Sequence, residues 1–559
     1  MNKIVECVPN FSEGRDRGII DAIGAEISAV EGAALLDVDP GHATNRTVVT
    51  FVGSPEAVAD AAFQAIAKAA ELIDMQNHSG EHARMGATDV CPFVPVRGVT
   101  MEDCVAIAKS VGERVAEELS IPVYLYENAA MTPERQNLAT VRSGEYEGLP
   151  EKLKDPAWKP DFGKAEFNAQ SGATAIGARQ FLIAYNVNLN SRDRKLATDI
   201  ALDIREAGRA KRDADGKIIR DEDGKAVKVP GLLKACKAVG WEIEEYGKAQ
   251  VSINLTDYTV TPPHIAFEAV REGGRKRGLR VTGSELVGLV PLEAMLMAGR
   301  HYLTSQGKTT GVAESELVHA AVESLGLNDV SPFNPEERVV EYRLAEKGEL
   351  VSKTVSDFAD ELSSDSPAPG GGSVSALMGA LGAALVSMVA ALTHGKKGME
   401  DLRREMEELG TQAQQLKDRL TSLVDEDTAA FNGVMAAFRM KKRTDEEKKS
   451  RHEAIQTATK KATQIPMEVC RLSFEAMALS RSAVSEGNPN SVSDAAVAAE
   501  AALAGLRGAR LNVLINLDGI DDQKFCKEMK KSSDGLMKKG EELHGEISVA
   551  VAKVMSKDG

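Results

Sequence analysis

The chain has 559 residues, which at about 150 per domain calls for several folded units rather than one. Its 68 Lys and Arg against 84 Asp and Glu leave a net charge of -16, which excludes a general nucleic-acid binder, because neutralising phosphates needs a basic face. With 43% apolar and 27% charged residues, the composition also excludes wholesale disorder.

Six cysteines are scattered without a Cys-x-x-Cys pair, so neither a zinc site nor a disulfide framework is expected, and a reducing cytoplasmic setting is. The N-terminus runs into strand-like sequence without the apolar core of a signal peptide.

Alternation of apolar and polar residues predicts strands over 4–9, 34–39, 46–52 and 90–96, with helices over 17–29 and 55–75 between them. That is the β-α-β-β-α-β order of a ferredoxin-like unit. A helix over 101–119 and a strand over 122–126 follow, then an irregular passage rich in Pro and Gly over 150–177. The same order then recurs: strands over 181–189, 232–246, 250–257 and 279–283, and helices over 192–207 and 263–278. Asp213-Ala214-Asp215-Gly216 and Asp221-Glu222-Asp223-Gly224 lack the ligand spacing of a calcium loop and predict a surface hairpin.

Past residue 351 the strand patterns vanish. Helices are predicted over 354–362, with a capping box at Thr354 and Asp357, then 374–393, 399–440, 445–465 and onward to 551. The expected architecture is therefore an α/β pair of ferredoxin-like subdomains, residues 1–180 and 181–336, a linker over 337–352, and an all-α bundle over 353–559. Residues 374–393 carry no charge and imitate a membrane span, but Ser375, Gly379, Gly382, Ser387 and their alanines predict a central helix packed on all sides.

The helix over 399–440 singles out one acid. At 100° per residue, Met406, Leu409, Ala413, Leu416, Val424, Phe431, Val434, Met435 and Phe438 share a stripe with Leu420. Asp427 lies about 20° from its centre, whereas Asp425 and Glu426 lie about 140° and 240° away. An acid on an apolar seam is desolvated, so it is either a structural group bonded to a neighbour or an acid-base group of raised pKa. Upstream, Gly370-Gly371-Gly372-Ser373 opens a helix, and bare backbone there lets a ligand approach the N-terminal amides, although such runs are also ordinary turns.

In the first half, His78-Ser79-Gly80-Glu81-His82 matches the spacing of inverted zinc peptidases. Gly80 places it in a loop rather than on the continuous helix such a site needs. A loop histidine acting as a base is the alternative, suited to proton transfer near neutral pH. Arg46 and Arg84 are candidate carboxylate clamps, and Asp39, at a strand end, is a candidate orienter of His82.

Several runs resemble the glutamate formiminotransferase family: Val5 through Gly14, Leu36-Asp37-Val38-Asp39, Thr44-Asn45-Arg46-Thr47, Gly80 through Gly86, Asp89 through Phe93, and Gly172 through Arg179. Ala368 through Val374, Leu423 through Asp427, Gly487-Asn488-Pro489-Asn490 and Asn512 through Leu517 resemble the formiminotetrahydrofolate cyclodeaminase family. The order of the matches is that of the fused bifunctional enzymes. The resemblance implies formimino transfer between N-formimino-L-glutamate and tetrahydrofolate, then closure to 5,10-methenyltetrahydrofolate with release of ammonia, in histidine breakdown. It implies His82 as the transferase residue and Asp427 as the cyclodeaminase residue. It also implies a folate loop over Gly163, Lys164, Ala165, Glu166, Phe167, Asn168, Ala169, Gln170, Ser171 and Gly172, and Gly371 and Gly372 as substrate-contacting backbone.

Tetrahydrofolate in its polyglutamylated form is then the expected one-carbon carrier, no metal is expected, and the family implies a homo-oligomer. Lys396, Lys397, Lys441, Lys442 and Arg443 are expected to flank the helices around Asp427, either as a site for an anionic polyglutamate tail or as solvated charge runs. The competing readings are a zinc hydrolase using His78, Glu81 and His82, and a non-catalytic folate-binding helical scaffold.

Overall fold

The computed structural model describes residues 3–42, 44–80, 83–345 and 348–556. His82 and Glu81 lie outside the described residues. The chain divides into one unit of Met1–Met295 with Leu325–Leu344, and a second of Leu296–Ser324 with Ala345–Gly559.

The first unit begins with β1 (Ile4–Cys7), β2 (Asn10–Phe11), α1 (Arg17–Ser28), β3 (Ala33–Gly41), β4 (Arg46–Gly53), α2 (Pro55–Leu72), β5 (Thr88–Arg97), α3 (Met101–Leu119), β6 (Val123–Glu127), α4 (Leu138–Val141), α5 (Glu145–Lys152) and β7 (Thr174–Ala178). Both β1 and β2 lie between β4 and β5, so they are one strand interrupted near Pro9, which has no N–H for the ladder. The sheet runs β3, β4, β1/β2, β5, β7, β6, antiparallel as far as β5 and parallel from there on. One face packs Cys7, Phe11, Val49, Phe51, Cys91 and Phe93 against Ile23 and Ile27 of α1, Val58 and Ile66 of α2, and Val111 and Val115 of α3. The other face holds Val90, Tyr124, Tyr126 and Ala175 under Val141 and Leu149.

Helix starts follow local chemistry. Asp16 accepts from the Gly18 and Ile19 amides, Ser54 caps α2 with Pro55 at its first position, and Thr100 and Asp103 form a full capping box. The irregular reading of 150–177 is corrected at its end. β7 lies within that passage, and its Thr-Ala-Ile-Gly-Ala run is buried at every position, so it shows no alternation.

The chain continues with β8 (Ile183–Leu189), α6 (Arg194–Ile204), β9 (Arg209–Ala210), β10 (Lys228–Val229), β11 (Cys236–Ile243), β12 (Lys248–Leu255), α7 (Pro263–Arg275) and β13 (Val281–Val287). This sheet runs β11, β12, β8, β13, all antiparallel. In both sheets the first four strands, with β1/β2 counted as one, stand in the spatial order second, third, first, fourth. The expected single hairpin over 213–224 is instead two turns joining three short extended segments. Ile219 donates to Lys211, Val227 to Ile219 and Lys211 back to Val227, which closes a ring of backbone bonds. Asp213 and Asp221 each accept two amides across their own turn.

Next come α8 (Leu292–Ser305), α9 (Glu314–Leu325), α10 (Pro335–Arg338) and α11 (Val340–Leu344). The expected linker over 337–352 therefore opens with helix. Most of α8 and α9 belongs to the second unit, where the turn between them is clasped by Glu407, which accepts from Thr309 Oγ1 and from the Thr310 amide at 2.9 Å.

The rest of the second unit is α12 (Val355–Leu362), α13 (Gly371–His394), α14 (Arg403–Arg439), α15 (Asp445–Glu486), α16 (Val492–Leu517) and α17 (Gln523–Met555). Thr354 caps α12, but Asp357 answers its hydroxyl, at 2.6 Å, rather than its backbone, so half of the expected box forms. α13 is long and apolar enough to cross a membrane by length and composition, and 56% of that window is buried. Its partners are α14, α15 and α16. Small residues permit this: a Cβ on Gly379 would stand 2.5 Å from Ser473 Oγ, and one on Gly382 2.9 Å from the Ala498 carbonyl. The expected packing on all sides is corrected: Leu381 and Leu392, on the face these helices leave open, are about half exposed.

α15 was expected to stop before Pro466 and instead continues to Glu486. Proline cannot bond the carbonyl four residues back. That carbonyl, on Ala462, accepts from Asn516 Nδ2 of α16 at 2.9 Å, which explains why the helix is not broken there.

Candidate active sites

In the first unit, Asn45 organises the loops around the His78-to-Gly86 motif. It adopts φ 47°, accepts from the Gly14 amide at 3.0 Å and donates to the Ser79 carbonyl at 3.0 Å. Gly80 packs against Thr44 so closely that a Cβ would stand 2.2 Å from its carbonyl oxygen. His78 is held at both ring nitrogens. Arg84 Nε donates to Nδ1 at 3.2 Å, so the proton belongs on Nε2, which donates to the Asn45 carbonyl at 2.9 Å. A zinc reading needs a free lone pair on this imidazole, and this geometry engages it with Arg84.

Arg84 is buried, and it clasps the chain's own carboxylates, Glu147 at 2.6 Å and Glu145 at 3.1 Å. In this arrangement it anchors α5 to the motif loop. Arg46 opens β4 opposite Gly41, and Asp39 stands two pairs further along, opposite Val48. Burial pulls the Arg46 guanidinium below its ordinary value, while Asp89 and Asp39 oppose that shift and Arg142 adds to it. Asp89 is fully buried, ion-paired with Arg142 and hydrogen-bonded to the Met85 amide at 3.0 Å. Asp39 itself is exposed, and its expected partner His82 is outside the described residues.

The expected folate loop is carried to the same place. Gly86 and Gly172 pair, Ala87 donates to Ser171 at 2.9 Å, and Ala173 donates to Met85 at 3.1 Å. Gly172 has φ +67°, and a Cβ there would lie 2.1 Å from the Met85 carbonyl oxygen. Asn168 side chain caps the turn through the Ser171 amide, Gln170 binds the end of α2, and Tyr146 donates to the Ala169 carbonyl. Gly163, Lys164, Ala165, Glu166 and Phe167 are exposed, with Phe167 against Tyr146 at 5.4 Å between ring centres. One half of the loop is thus fixed and the other is open to solvent. Tyr146 is the residue that sequence reasoning missed, because it lies in a passage without periodicity, and Asn45 was legible only within the Thr44-to-Thr47 run and not for its bonds.

In the second unit, the acidic triplet is separated by its partners. Asp425 accepts the Leu350 and Val351 amides at 2.8 and 3.2 Å, and Glu426 joins Glu468 on Arg419. Asp427 has no cationic partner among the described residues. It is half-buried and rests on the opening turn of α13: a Cβ on Gly372 would stand 2.2 Å from both of its carboxylate oxygens. Burial pushes its carboxyl above the ordinary range, against the pull of a hydrogen bond from the Ser373 amide. Ser373 Oγ in turn donates to the Val424 carbonyl at 2.8 Å and meets Thr428 at 3.2 Å. On the far side of the turn, Asn512 faces Gly371, 3.5 Å from where its Cβ would be.

Two sequence expectations around this acid are corrected. The apolar stripe holds from Met406 to Val424, but Phe438 is 49% exposed and meets the Arg451 guanidinium of α15, 5.6 Å from its ring centre, rather than the apolar core. The basic residues do flank the helices that frame Asp427, but at the ends remote from it. α13 has 24 residues, about 36 Å of helix, so Lys396 and Lys397 follow the end opposite Gly372, and Lys396 donates to Asn488 there. Lys441 to Arg443 follow α14, about 20 Å along its axis from Asp427.

The α/β unit thus carries a loop motif tethered through Asn45 and Arg84, and the helical unit carries an acid of raised pKa on the opening turn of a bundle helix. The family model described as Formiminotransferase domain, N-terminal subdomain, matches residues 4–179; Formiminotransferase domain matches 184–345; Formiminotransferase-cyclodeaminase matches 354–535. The chain is 44% identical over 528 residues to the mouse formimidoyltransferase-cyclodeaminase, covering 94% of each. It is 43% identical over 303 residues to the glutamate formimidoyltransferase of Streptococcus pyogenes serotype M1, which covers 54% of this chain and 94% of that one. It is 41% identical over 196 residues to the methenyltetrahydrofolate cyclohydrolase of Methylorubrum extorquens, covering 35% and 94%. The chain belongs to the formimidoyltransferase-cyclodeaminase family.

Proposed function

We propose that the two reactions of this bifunctional folate enzyme of histidine breakdown are divided between His82 in the first unit and Asp427 in the second. The first transfers the formimino group between N-formimino-L-glutamate and tetrahydrofolate. The second closes 5-formiminotetrahydrofolate to 5,10-methenyltetrahydrofolate and releases ammonia. The observation that carries the reading is the seating of Asp427: its carboxyl is raised by burial and, among the described residues, has no cation to hold it ionised.

In transfer, folate N5 attacks the amidine carbon, so one proton must leave the attacking amine and another must reach the departing glutamate nitrogen. His82 is the group assigned to both, with Asp39 as its orienter. Arg46 and Arg84 are the candidate substrate-carboxylate clamps, and Arg84 would have to exchange Glu145 and Glu147 for the substrate. The residues from Gly163 to Gly172 supply the folate loop, its fixed half bonded to Met85 and Ala87 and its exposed half accessible to ligand.

In cyclisation, N10 loses a proton as it attacks, and the departing nitrogen gains one. A single carboxyl of raised pKa serves both, as base and then as acid. Gly371 and Gly372 let the substrate reach the backbone of the α13 turn. The ferredoxin-like reading of both subdomains is supported by their shared strand order. A cytoplasmic setting is supported by six free thiols, with Cys7 and Cys91 only 3.5 Å apart at sulfur and unbonded.

His82→Ala should abolish transfer while ammonia release from supplied 5-formiminotetrahydrofolate continues; loss of both in a folded chain would refute the division. A second reading has one observation in its favour, the likeness of the helical unit to a methenyltetrahydrofolate cyclohydrolase. Water would then attack the methenyl carbon at the same Asp427, and conversion of supplied 5,10-methenyltetrahydrofolate faster than its spontaneous hydrolysis tests it.

A further inference from the structure

Beside the Asp427 turn, α13 and α16 enclose a groove of about 450 Å³, within the usual range for small-molecule sites. Its walls are apolar, with Val374 and Met378 from α13 and Leu503 and Ala504 from α16. Gly371 belongs both to this groove and to the turn on which Asp427 rests, so the two are continuous. The helices are held close there. Ser375 Oγ donates to the Gly371 carbonyl at 2.6 Å, and a Cβ on Gly508 would stand 2.3 Å from that hydroxyl.

The charged side chains on the groove are Glu500, which is engaged by His544 at 2.7 Å, and Arg507, and Asn512 stands next to the groove across from Gly371. Arg507 lies along its edge, 57% exposed and paired only loosely with Glu541, at 3.5 Å. Asn512, one turn beyond Gly508 and facing Gly371, donates Nδ2 to the Gly508 carbonyl at 2.9 Å. That bond fixes which end of the carboxamide is which and leaves Oδ1 as an acceptor.

We propose that this groove holds the p-aminobenzoyl-glutamate arm of the folate substrate, with the glutamate carboxylate on Arg507 and the formimino nitrogen on Asn512 beside Asp427. The inference rests on the assignment of Asp427 to cyclisation. The occupant follows from shape and charge: an aryl ring suits the apolar walls, and an anionic end suits the guanidinium, which can exchange a solvent-exposed partner for a substrate carboxylate. Asn512 acts as a positioning residue. Its oxygen accepts an N–H of the cationic amidine, which holds the departing nitrogen where Asp427 can protonate it.

The test uses the full chain and supplied 5-formiminotetrahydrofolate, reading kcat and KM for ammonia release, with helical circular dichroism and the thermal midpoint of the same preparation as a check on folding. Arg507→Met should raise KM about tenfold with little change in kcat. Ala504→Trp, which fills the groove, should raise KM and weaken inhibition by free p-aminobenzoyl-glutamate. Asn512→Ala should lower kcat about tenfold with KM nearly unchanged. Wild-type KM and inhibition in both Arg507→Met and Ala504→Trp would overturn the proposal. Ammonia release that survives Asp427→Asn would instead fault the catalytic assignment, and the KM values would still report on the groove.

Discussion

Gly372 shows how a single missing side chain shapes a site. The space its Cβ would fill is occupied by the Asp427 carboxylate, 2.2 Å away at both oxygens, whereas nothing stands within 4 Å of a Cβ on Gly370. Gly372→Ala must displace the acid or the helix, costing about 1–3 kcal/mol of stability and most of the cyclodeaminase rate. Gly370→Ala should preserve both, and equal effects of the two variants on ammonia release and thermal midpoint would contradict the seating. Glu6 makes a different prediction. It is 3% exposed on β1, and burial raises its carboxyl from 4.5 to about 7, with Arg179 opposing and Glu341 reinforcing the shift. Between those two values the folded chain keeps a proton that the unfolded chain has lost. Its contribution is therefore complete below pH 4.5 and disappears as pH rises through about 7, a loss on the order of 3 kcal/mol. Denaturant unfolding of the wild type should weaken from pH 5 to pH 8 by more than that of Glu6→Gln; parallel profiles would rule this out. At this scale Asp427 was legible in the sequence, because helical periodicity alone sets it apart from Asp425 and Glu426. Asn512 was not, because its role depends on which helix end lies opposite it.

Among the elements, regular strands and helices were legible wherever one face is buried and the other wet, as in α3, which spans the residues that periodicity assigns to it. Reading failed where that contrast is missing. β7 is buried on both faces, and α15 runs through a proline that local rules treat as a stop. The remedy for Pro466 lies 50 residues away in Asn516, which no local window can contain. Asn516→Leu should leave the Ala462 carbonyl unpaired and destabilise the helical unit by about 1–3 kcal/mol. Urea unfolding followed by helical circular dichroism would show it, and an unchanged midpoint would mean that the bond is dispensable. The turn clasped by Glu407 makes the related point that α8 and α9, which follow the second sheet in sequence, pack with the bundle.

For the whole molecule, the sequence showed the change from mixed α/β to pure helix, but not that residues 296–324 join the helical unit, since chain order does not reveal which core a helix completes. Assembly of several copies, which the family resemblance implies, fits the exposed Leu381, Met388 and Leu392 along α13, a stripe at helical spacing. Sedimentation of the purified chain should give a mass above one copy, and a monomer at all concentrations would count against it. The central claim is that one folate carrier is served by two chemically distinct sites, one built on a loop histidine and one on a half-buried acid. It is tested most directly by giving Asp427→Asn both N-formimino-L-glutamate and tetrahydrofolate and following the products. The account predicts that 5-formiminotetrahydrofolate accumulates at the wild-type rate with no ammonia and no 5,10-methenyltetrahydrofolate. Ammonia released at the wild-type rate, or loss of both reactions in a folded chain, would contradict it.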